Sequence, residues 1–136
     1  MNNRIKDKIK EIEIYLFELD KIIPSTFKNY ESDFKTKAAC ERYFEKIAEA
    51  VVDLAMLVIK ESGFEIPEMD YESFEILKKE DIISFELVKK LRNIKGMRNI
   101  IAHQYGEIDD EIMYSSISNE LKKDVKEFLK IIKNLE

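Results

Sequence analysis

The chain has 136 residues, 45% of them hydrophobic and 38% charged, and its formal net charge is −5 at pH 7. This length and composition are typical of one globular domain, so we expect a single domain over residues 1–136. The acidic balance excludes a protein that attracts nucleic acid over its whole surface. Any site for a polyanion must be a local patch.

Scarce residue types exclude several further classes. The single cysteine, Cys40, cannot form an internal disulfide, and with one histidine it cannot build an ordinary zinc site, so we expect no metal. The amino terminus lacks an apolar signal core, and no run approaches ~18 apolar residues, so we expect a cytoplasmic protein without membrane contact. Three glycines and two prolines argue against a sandwich or barrel.

Helical periodicity is clear in the first half of the chain. The first long segment ends at Pro24, and its apolar residues lie three and four positions apart. They are Ile5, Ile9, Ile12, Leu16, Leu19 and Ile23. The second segment runs from about residue 32 to residue 62 and stops at Gly63, a natural left-handed end. Its stripe consists of Phe44, Ile47, Val51, Leu54 and Val58.

The second half predicts one short and two long helices. A short helix is expected over residues 71–79 with Asp70 as its N-cap. Ser84 is a candidate cap for the third long helix, and Asp109 or Asp110 for the last one. The third long helix directs Leu87, Leu91, Ile94 and Ile101 towards the core. The last carries Ile112, Ile117, Leu121, Val125, Phe128 and Ile132.

These segments predict an all-α fold, an up-and-down bundle of four to five helices joined by short links. No segment alternates with period two for long enough to indicate a strand. Some apolar residues lie outside the stripes, for example Ile14 and Phe17 on the first helix. They indicate either a subunit interface or a generous core, and the pattern favours neither.

The only histidine lies in the segment Arg98–Tyr105. Asn99 precedes His103 by four residues and shares its helix face, so it can orient the ring. Arg98 lies ~140° away around an ideal helix, and the two cannot share one narrow face. A histidine near a helix carboxyl end can exchange protons with a ribose 2′-hydroxyl, and Arg98 can clamp a phosphate. A plain surface or capping histidine would give the same pattern.

Basic residues are concentrated before this histidine. Over residues 86–103 the only acid is Glu86, whereas the basic residues are Lys89, Lys90, Arg92, Lys95 and Arg98. This stretch predicts a local phosphate-binding patch for RNA. Cations towards a helix carboxyl terminus also stabilise the helix itself, and composition alone favours this purely structural role.

Three other residues have simpler interpretations. Cys40 lies among alanines on an apolar stripe, which favours core packing over a nucleophile. Glu49 and Asp53 are four residues apart on the second helix. They are either a solvated pair or acids that face His103, and the solvated pair is favoured.

Arg98, four intervening residues, His103, one residue and Tyr105 match the Arg-x4-His-x-Tyr signature of HEPN-domain proteins. The chain resembles the HepT toxins of this family in particular. The similarity covers roughly residues 38 to 134. It includes the segments Arg42–Ala50, Gly63–Tyr71, Leu91–Met97 and Tyr105–Asp109.

The resemblance implies a helical bundle that forms a homodimer, with two copies of the motif flanking one cleft. It implies metal-independent cleavage of RNA, either tRNA or mRNA, with Arg98 and His103 as catalytic residues and Asn99 as the polar residue beside them. A symmetric dimer would also bring Arg98 and His103 of both chains to one phosphate, despite their angular separation.

The resemblance further implies a partner, an MntA-like nucleotidyltransferase antitoxin that adenylylates Tyr105. ATP and magnesium would belong to that partner, and this chain needs no cofactor. An AMP group beside His103 would block and repel the RNA phosphate. Tyr105 can also pack as a helix-end aromatic. The alternatives are a non-catalytic substrate-binding or regulatory subunit of a nucleotidyltransferase, and a purely structural oligomeriser.

Overall fold

The computed structural model of the chain describes residues 1–103 and 108–135. Within these ranges it contains helices and no strand, so the all-α class is confirmed. The α-helices are α1 (Asn3–Ile22), α2 (Phe27–Ser32), α3 (Phe34–Ser62), α4 (Ser73–Lys79), α5 (Phe85–His103), α6 (Asp110–Ser115) and α7 (Leu121–Lys133). A 3-10 turn, Asp70–Glu72, leads into α4, and a π-helical turn, Ser116–Glu120, joins α6 to α7.

Three predicted helix ends are confirmed by their local hydrogen bonds and backbone. The Ser84 hydroxyl accepts the backbone N–H of Leu87 at 3.1 Å, at the start of α5. The Asp109 carboxylate accepts two backbone N–H groups in the first turn of α6. Gly63 ends α3 with a φ of 73°, the left-handed conformation that glycine adopts without steric cost.

The sequence predicts Asp70 as the N-cap of the short helix, and this prediction is wrong. It lies inside the 3-10 turn, and the α-helical part begins three residues later at Ser73. The Glu72 carboxylate accepts the backbone N–H of Met69 at 3.2 Å and so closes the turn. The backbone N–H of Glu72 in turn donates to the Met69 carbonyl, so Met69 and Glu72 bond each other in both directions. With Asp70 as the N-cap, the Met69 N–H would have been left to water.

The start of the second long helix also differs slightly from the prediction. Asp33 adopts an extended conformation and separates α2 from α3. Its carboxylate accepts the backbone N–H of Thr36 at 3.2 Å and the Thr36 hydroxyl at 2.8 Å. An N-cap of this kind begins a new helix, so α3 starts at Phe34 rather than near residue 32.

One hydrophobic core lies between the four long helical segments. The predicted stripe residues of α1, α3 and α5 are buried in it, except that Ile23 is half-buried just beyond α1. The rings of Phe74 and Phe128 meet edge to face at 6.2 Å between their centroids. Ile112 was predicted to face the core, but it is 60% exposed because the buried face of α6 begins one residue later, at Met113.

The apolar residues outside the α1 stripe do not belong to the core. Ile14 and Phe17 are 48% and 62% exposed. The generous-core interpretation is therefore wrong for these two residues. In the described parts of the chain, no helix is long and apolar enough to cross a membrane.

Cys40 is completely buried and free, which confirms core packing. Burial disfavours the thiolate and raises the pKa of this thiol to about 11, with a smaller contribution from the nearby Glu41. Because the thiolate is the reactive form, the residue is unsuited to nucleophilic chemistry.

We expect Cys40 to react slowly with an aromatic disulfide reagent in the native protein and rapidly once urea unfolds the chain. The unfolded thiol ionises near pH ~8.5, whereas the folded thiol stays protonated to a pKa of about 11. Its contribution to the free energy of unfolding should therefore fall as pH rises between these values. Urea titrations of wild type and Cys40→Ala isolate this slope, because lost packing gives only a constant offset. Rapid stoichiometric labelling of the native protein at neutral pH would contradict the burial.

Candidate active site

Arg98 on α5 is held by Glu49 on α3. Its Nη2 donates a hydrogen bond to Glu49 Oε1 at 2.9 Å, and its Nη1 donates to Asn99 Oδ1 at 3.4 Å. The side chains of Arg98 and Glu49 are 32% and 45% exposed. The guanidinium is therefore fixed in direction at the surface, where an anion can still reach it.

The role of Glu49 could not be resolved from the sequence, which favoured a solvated acidic pair. The structure separates the two acids instead. Glu49 contacts Arg98, whereas Asp53 lies 3.7 Å from the Nζ of Lys8 on α1. No hydrogen bond or ion pair between described residues joins either acid to His103. The i, i+4 spacing of the acids was visible in the sequence, but the partner of each acid was not.

His103 is exposed and is the last residue of α5 that the structure describes. Asn99 accepts a hydrogen bond from Arg98, and no hydrogen bond between described residues links it to His103. Among the described residues, Arg98 and His103 are likewise not joined by a hydrogen bond. The chain thus holds Arg98 against α3 and presents His103 to solvent, in agreement with their angular separation on the helix. Tyr105 lies outside the described residues.

The outward face of α5 carries a regular exposed stripe. Its members are Lys89, Asn93, Gly96, Ile100 and His103, spaced four, three, four and three residues apart. A Cβ added at Gly96 would meet nothing within 4 Å, and Ile100 is 39% exposed. A glycine beside an exposed isoleucine permits close approach of another chain along this stripe.

Two of the four predicted RNA-binding residues are paired with local acids. The Nζ of Lys90 lies 3.5 Å from Glu127 and 4.0 Å from Asp124, both on the last helical segment. Arg92 contacts Glu75 of α4 at 3.0 Å. These two charges therefore point towards different neighbouring helices and are partly neutralised there.

The other two predicted RNA-binding residues lie over aromatic rings. The Nζ of Lys89 is 4.9 Å from the centroid of Phe85 on the same helix. The Nζ of Lys95 is 4.5 Å from the centroid of Tyr71, on the side of α5 that carries Arg98. Of the four, only Lys95 shares a cavity with Arg98, and RNA binding by the set stays a prediction.

A cavity of about 440 Å³ lies beside Arg98. Three parts of the chain form it: α3, the 3-10 turn before α4, and α5. Lys95, Arg98 and Asn99 line it from α5. A groove of about 640 Å³ between α1 and α7 contains none of the motif residues that the structure describes. Among the described residues, no three His, Cys, Asp or Glu side chains come together as candidate metal ligands.

The helical arrangement is that of solved HEPN toxins. The chain superimposes with a TM-score of 0.91 and 24% identity on a tri-AMPylated HEPN toxin of Shewanella oneidensis in complex with an MNT antitoxin, covering 99% of this chain and 100% of that one. It superimposes with a TM-score of 0.77 and 18% identity on YutE, a cytosolic protein of unknown function from Bacillus subtilis, covering 96% and 86%. The fold is therefore the HEPN fold.

The sequence shows the family directly. The Ribonuclease HepT-like family matches residues 6–132, and the chain belongs to this family. It is 25% identical over 133 residues to the mRNA nuclease HepT of Shewanella oneidensis, covering 98% of both chains. It is 27% identical over 119 residues to the tRNA nuclease HepT of Aphanizomenon flos-aquae, covering 88% of this chain and 81% of the relative. The resemblance drawn from the sequence and the ribonuclease class are confirmed at the level of the family.

We expect a coupling free energy of about 0.2–1 kcal/mol between Glu49 and Arg98, because both side chains are partly exposed to water. The measurement is a cycle of urea unfolding experiments on wild type, Glu49→Gln, Arg98→Gln and the double variant. The coupling should shrink in about 1 M salt, where exposed charges are screened over ~3 Å. The same cycle of unfolding experiments on the ion pair of Lys133 and Glu13, which is also exposed, is the matched control for a surface pair away from Arg98. A coupling that salt does not change would contradict the assignment.

Proposed function

We propose that this protein is the toxin of a toxin–antitoxin pair, a ribonuclease that cleaves cytoplasmic RNA without a metal in a cleft between two copies of the chain. The observation that carries the proposal is the surface guanidinium of Arg98 on α5, which Glu49 of α3 holds in one direction. The same helix, α5, also presents His103. Membership of the Ribonuclease HepT-like family supports the same reaction.

The placement of the two motif residues supports the proposed dimer. Within one chain Arg98 contacts α3 and His103 is exposed to solvent, so the proposal places the complete site between two chains. A two-fold interface puts the same surface of both subunits in contact. If the outward stripe of α5 forms that interface, the two His103 residues lie near the axis and an Arg98 flanks each of them.

Such a cleft supplies what RNA cleavage needs. One imidazole takes the proton of a ribose 2′-hydroxyl, whose oxygen attacks the adjacent phosphorus. The bond from phosphorus to the 5′-oxygen breaks, and the imidazolium formed in the first step gives its proton to that oxygen. The products are a 2′,3′-cyclic phosphate and a 5′-hydroxyl. Arg98 stabilises the extra negative charge on the phosphorane, and Asn99 helps to orient the guanidinium.

The four basic residues before Arg98 extend this proposal to RNA binding. Lys95 lies beside Arg98 and can contact the same strand. Lys89, Lys90 and Arg92 lie towards the amino-terminal half of α5. Lys90 and Arg92 would exchange their carboxylate partners for phosphates as RNA binds. Both tRNA and mRNA fit this proposal.

We expect the wild type to cleave RNA in the presence of EDTA. His103→Ala and Arg98→Ala should each lower kcat/KM by about 10²-fold or more, because a proton-transfer group or a charge-stabilising group is lost. Cleavage is followed on labelled RNA, and circular dichroism shows that the variants stay folded. Arg4→Ala, an exposed arginine on α1, is the control for loss of a positive charge. RNA binding without cleavage at any protein concentration would instead support a non-catalytic subunit.

We also expect dimers that combine one Arg98→Ala chain with one His103→Ala chain to regain activity. Each mixed dimer keeps one intact Arg98 and one intact His103 on opposite chains, which is sufficient if the site is shared. Mixed dimers are purified with two affinity tags and compared with each parent. Inactive mixed dimers would contradict a shared site.

Ile100→Glu should give inactive monomers if the outward stripe of α5 is the interface.

The regulatory part of the proposal is adenylylation of Tyr105. An MntA-like nucleotidyltransferase partner would use ATP and magnesium to join AMP to the tyrosine oxygen and release pyrophosphate. The Shewanella toxin named above is AMPylated in its complex with an MNT antitoxin, which supports this form of control. Tyr105 follows His103 by two residues, so a bulky anion there would compete with the RNA phosphate.

We expect incubation with such a partner, ATP and magnesium to add AMP to Tyr105 and to abolish RNA cleavage. Peptide mass spectrometry identifies the modified residue. Tyr105→Phe lacks the accepting hydroxyl, so it should remain active in the same mixture. Tyr43→Phe, on α3, is the control for loss of another tyrosine hydroxyl. If Tyr105→Phe is inactivated as fully as wild type, the modification is not the means of control.

A further inference from the structure

We propose that the cavity beside Arg98 is a nucleobase subsite. It would hold the base of a nucleotide next to the cleaved phosphate, stacked on Tyr71 and hydrogen-bonded to the Asp70 carboxylate. The inference rests on the proposed function in one respect, because it takes Arg98 as the residue that holds this phosphate.

The size and lining of the cavity suit a planar heteroaromatic group. Its volume of about 440 Å³ lies within the ~300–1,000 Å³ typical of small-molecule sites. Ala48 and Val52, both buried on α3, give it an apolar side. Met69 and Tyr71 add two side chains that are 51% and 42% exposed. A ring entering the cavity would cover this exposed apolar surface.

Tyr71 is placed to stack on a base. The Nζ of Lys95 lies 4.5 Å from the centroid of its ring, a cation–π contact that restrains the side chain. The side chain still keeps 42% of its surface exposed. Sequence-tolerant stacking of bases on restrained aromatic rings is a common way to bind single-stranded RNA.

The acids in the cavity favour a base over a second phosphate. Glu49, Asp53 and Asp70 line it, and they would repel a phosphate. Glu49 is bound to Arg98 and Asp53 lies near Lys8, whereas Asp70 has no ion pair within the described residues. A free carboxylate accepts hydrogen bonds from amino and imino groups.

The exposed edges of the bases then decide which one fits. Guanine offers an imino and an amino donor on its Watson–Crick edge, and adenine and cytosine each offer an amino group. Uracil has no amino group, and its one imino donor lies between two carbonyl oxygens that face the carboxylate unfavourably. The subsite should therefore accept amino-bearing bases and discriminate against uracil.

The experiment uses the full chain and single-stranded RNA oligonucleotides that differ only in the base beside the cleavage site. Tyr71→Ala should raise KM by about 10-fold or more with little change in kcat, since loss of stacking weakens binding. Tyr71→Phe keeps the ring and should behave as wild type. Asp70→Asn should reduce the discrimination against uracil. Phe17→Ala removes an exposed aromatic residue with Lys21 5.0 Å from its ring centroid, and it serves as the matched control on α1.

Binding of 2′-O-methyl RNA, which cannot be cleaved, separates the subsite from the reaction. If wild type does not cleave but Tyr71→Ala weakens this binding, the ribonuclease proposal fails and the subsite stands. If wild type cleaves but Tyr71→Ala and Asp70→Asn leave KM and base preference unchanged, the subsite is overturned. A change of oligomeric state in Tyr71→Ala, seen by size-exclusion chromatography, would assign the cavity to a subunit interface and overturn it as well.

Discussion

The ion pair between Arg98 and Glu49 is the contact on which the proposed chemistry depends. An arginine has many rotamers, and a phosphate site needs one of them to be selected before the substrate arrives. The Glu49 carboxylate on α3, 2.9 Å from the guanidinium, selects one rotamer of Arg98. It also directs Arg98 towards α3, whereas His103 is exposed to solvent, and this separation is why the proposed site is shared between two chains.

Local pairing of charge makes the proposed polyanion site compatible with the acidic balance of the chain. Lys90 and Arg92 are matched by acids on neighbouring helices, so they add little net field around the bundle. Lys95 and Arg98 share one cavity with the acids Glu49, Asp53 and Asp70, so positive charge is balanced locally there as well. In the proposed RNA complex the electrostatic attraction would be short in range, and contacts with bases and sugars would supply much of the affinity.

The sequence predicted those parts of the fold that depend on neighbours along the chain. Apolar periodicity located the long helices, and Ser84, Asp109 and Gly63 marked their ends, because capping is a local interaction. Asp70 was misassigned, since a 3-10 turn competes with an N-cap for the same amides. The contact of Glu49 with Arg98 joins residues far apart in sequence. It depends on the axial position of α3 relative to α5, and no local sequence pattern encodes that position. For the same reason the family motif predicts roles for Arg98 and His103 but gives no indication of Glu49, which orients the guanidinium.

The π-helical turn Ser116–Glu120 determines which side of the last segment reaches the core. Four buried residues in this region are spaced by four each time: Met113, Ile117, Leu121 and Val125. In a regular α-helix of ~3.6 residues per turn, each such step would rotate the buried direction by ~40°, and three steps would carry it away from the bundle. The wider turn absorbs this rotation. If the same residues instead formed a regular α-helix, the apolar face of α7 would be turned by ~100°, so the locally irregular backbone is what keeps α7 packed against α5.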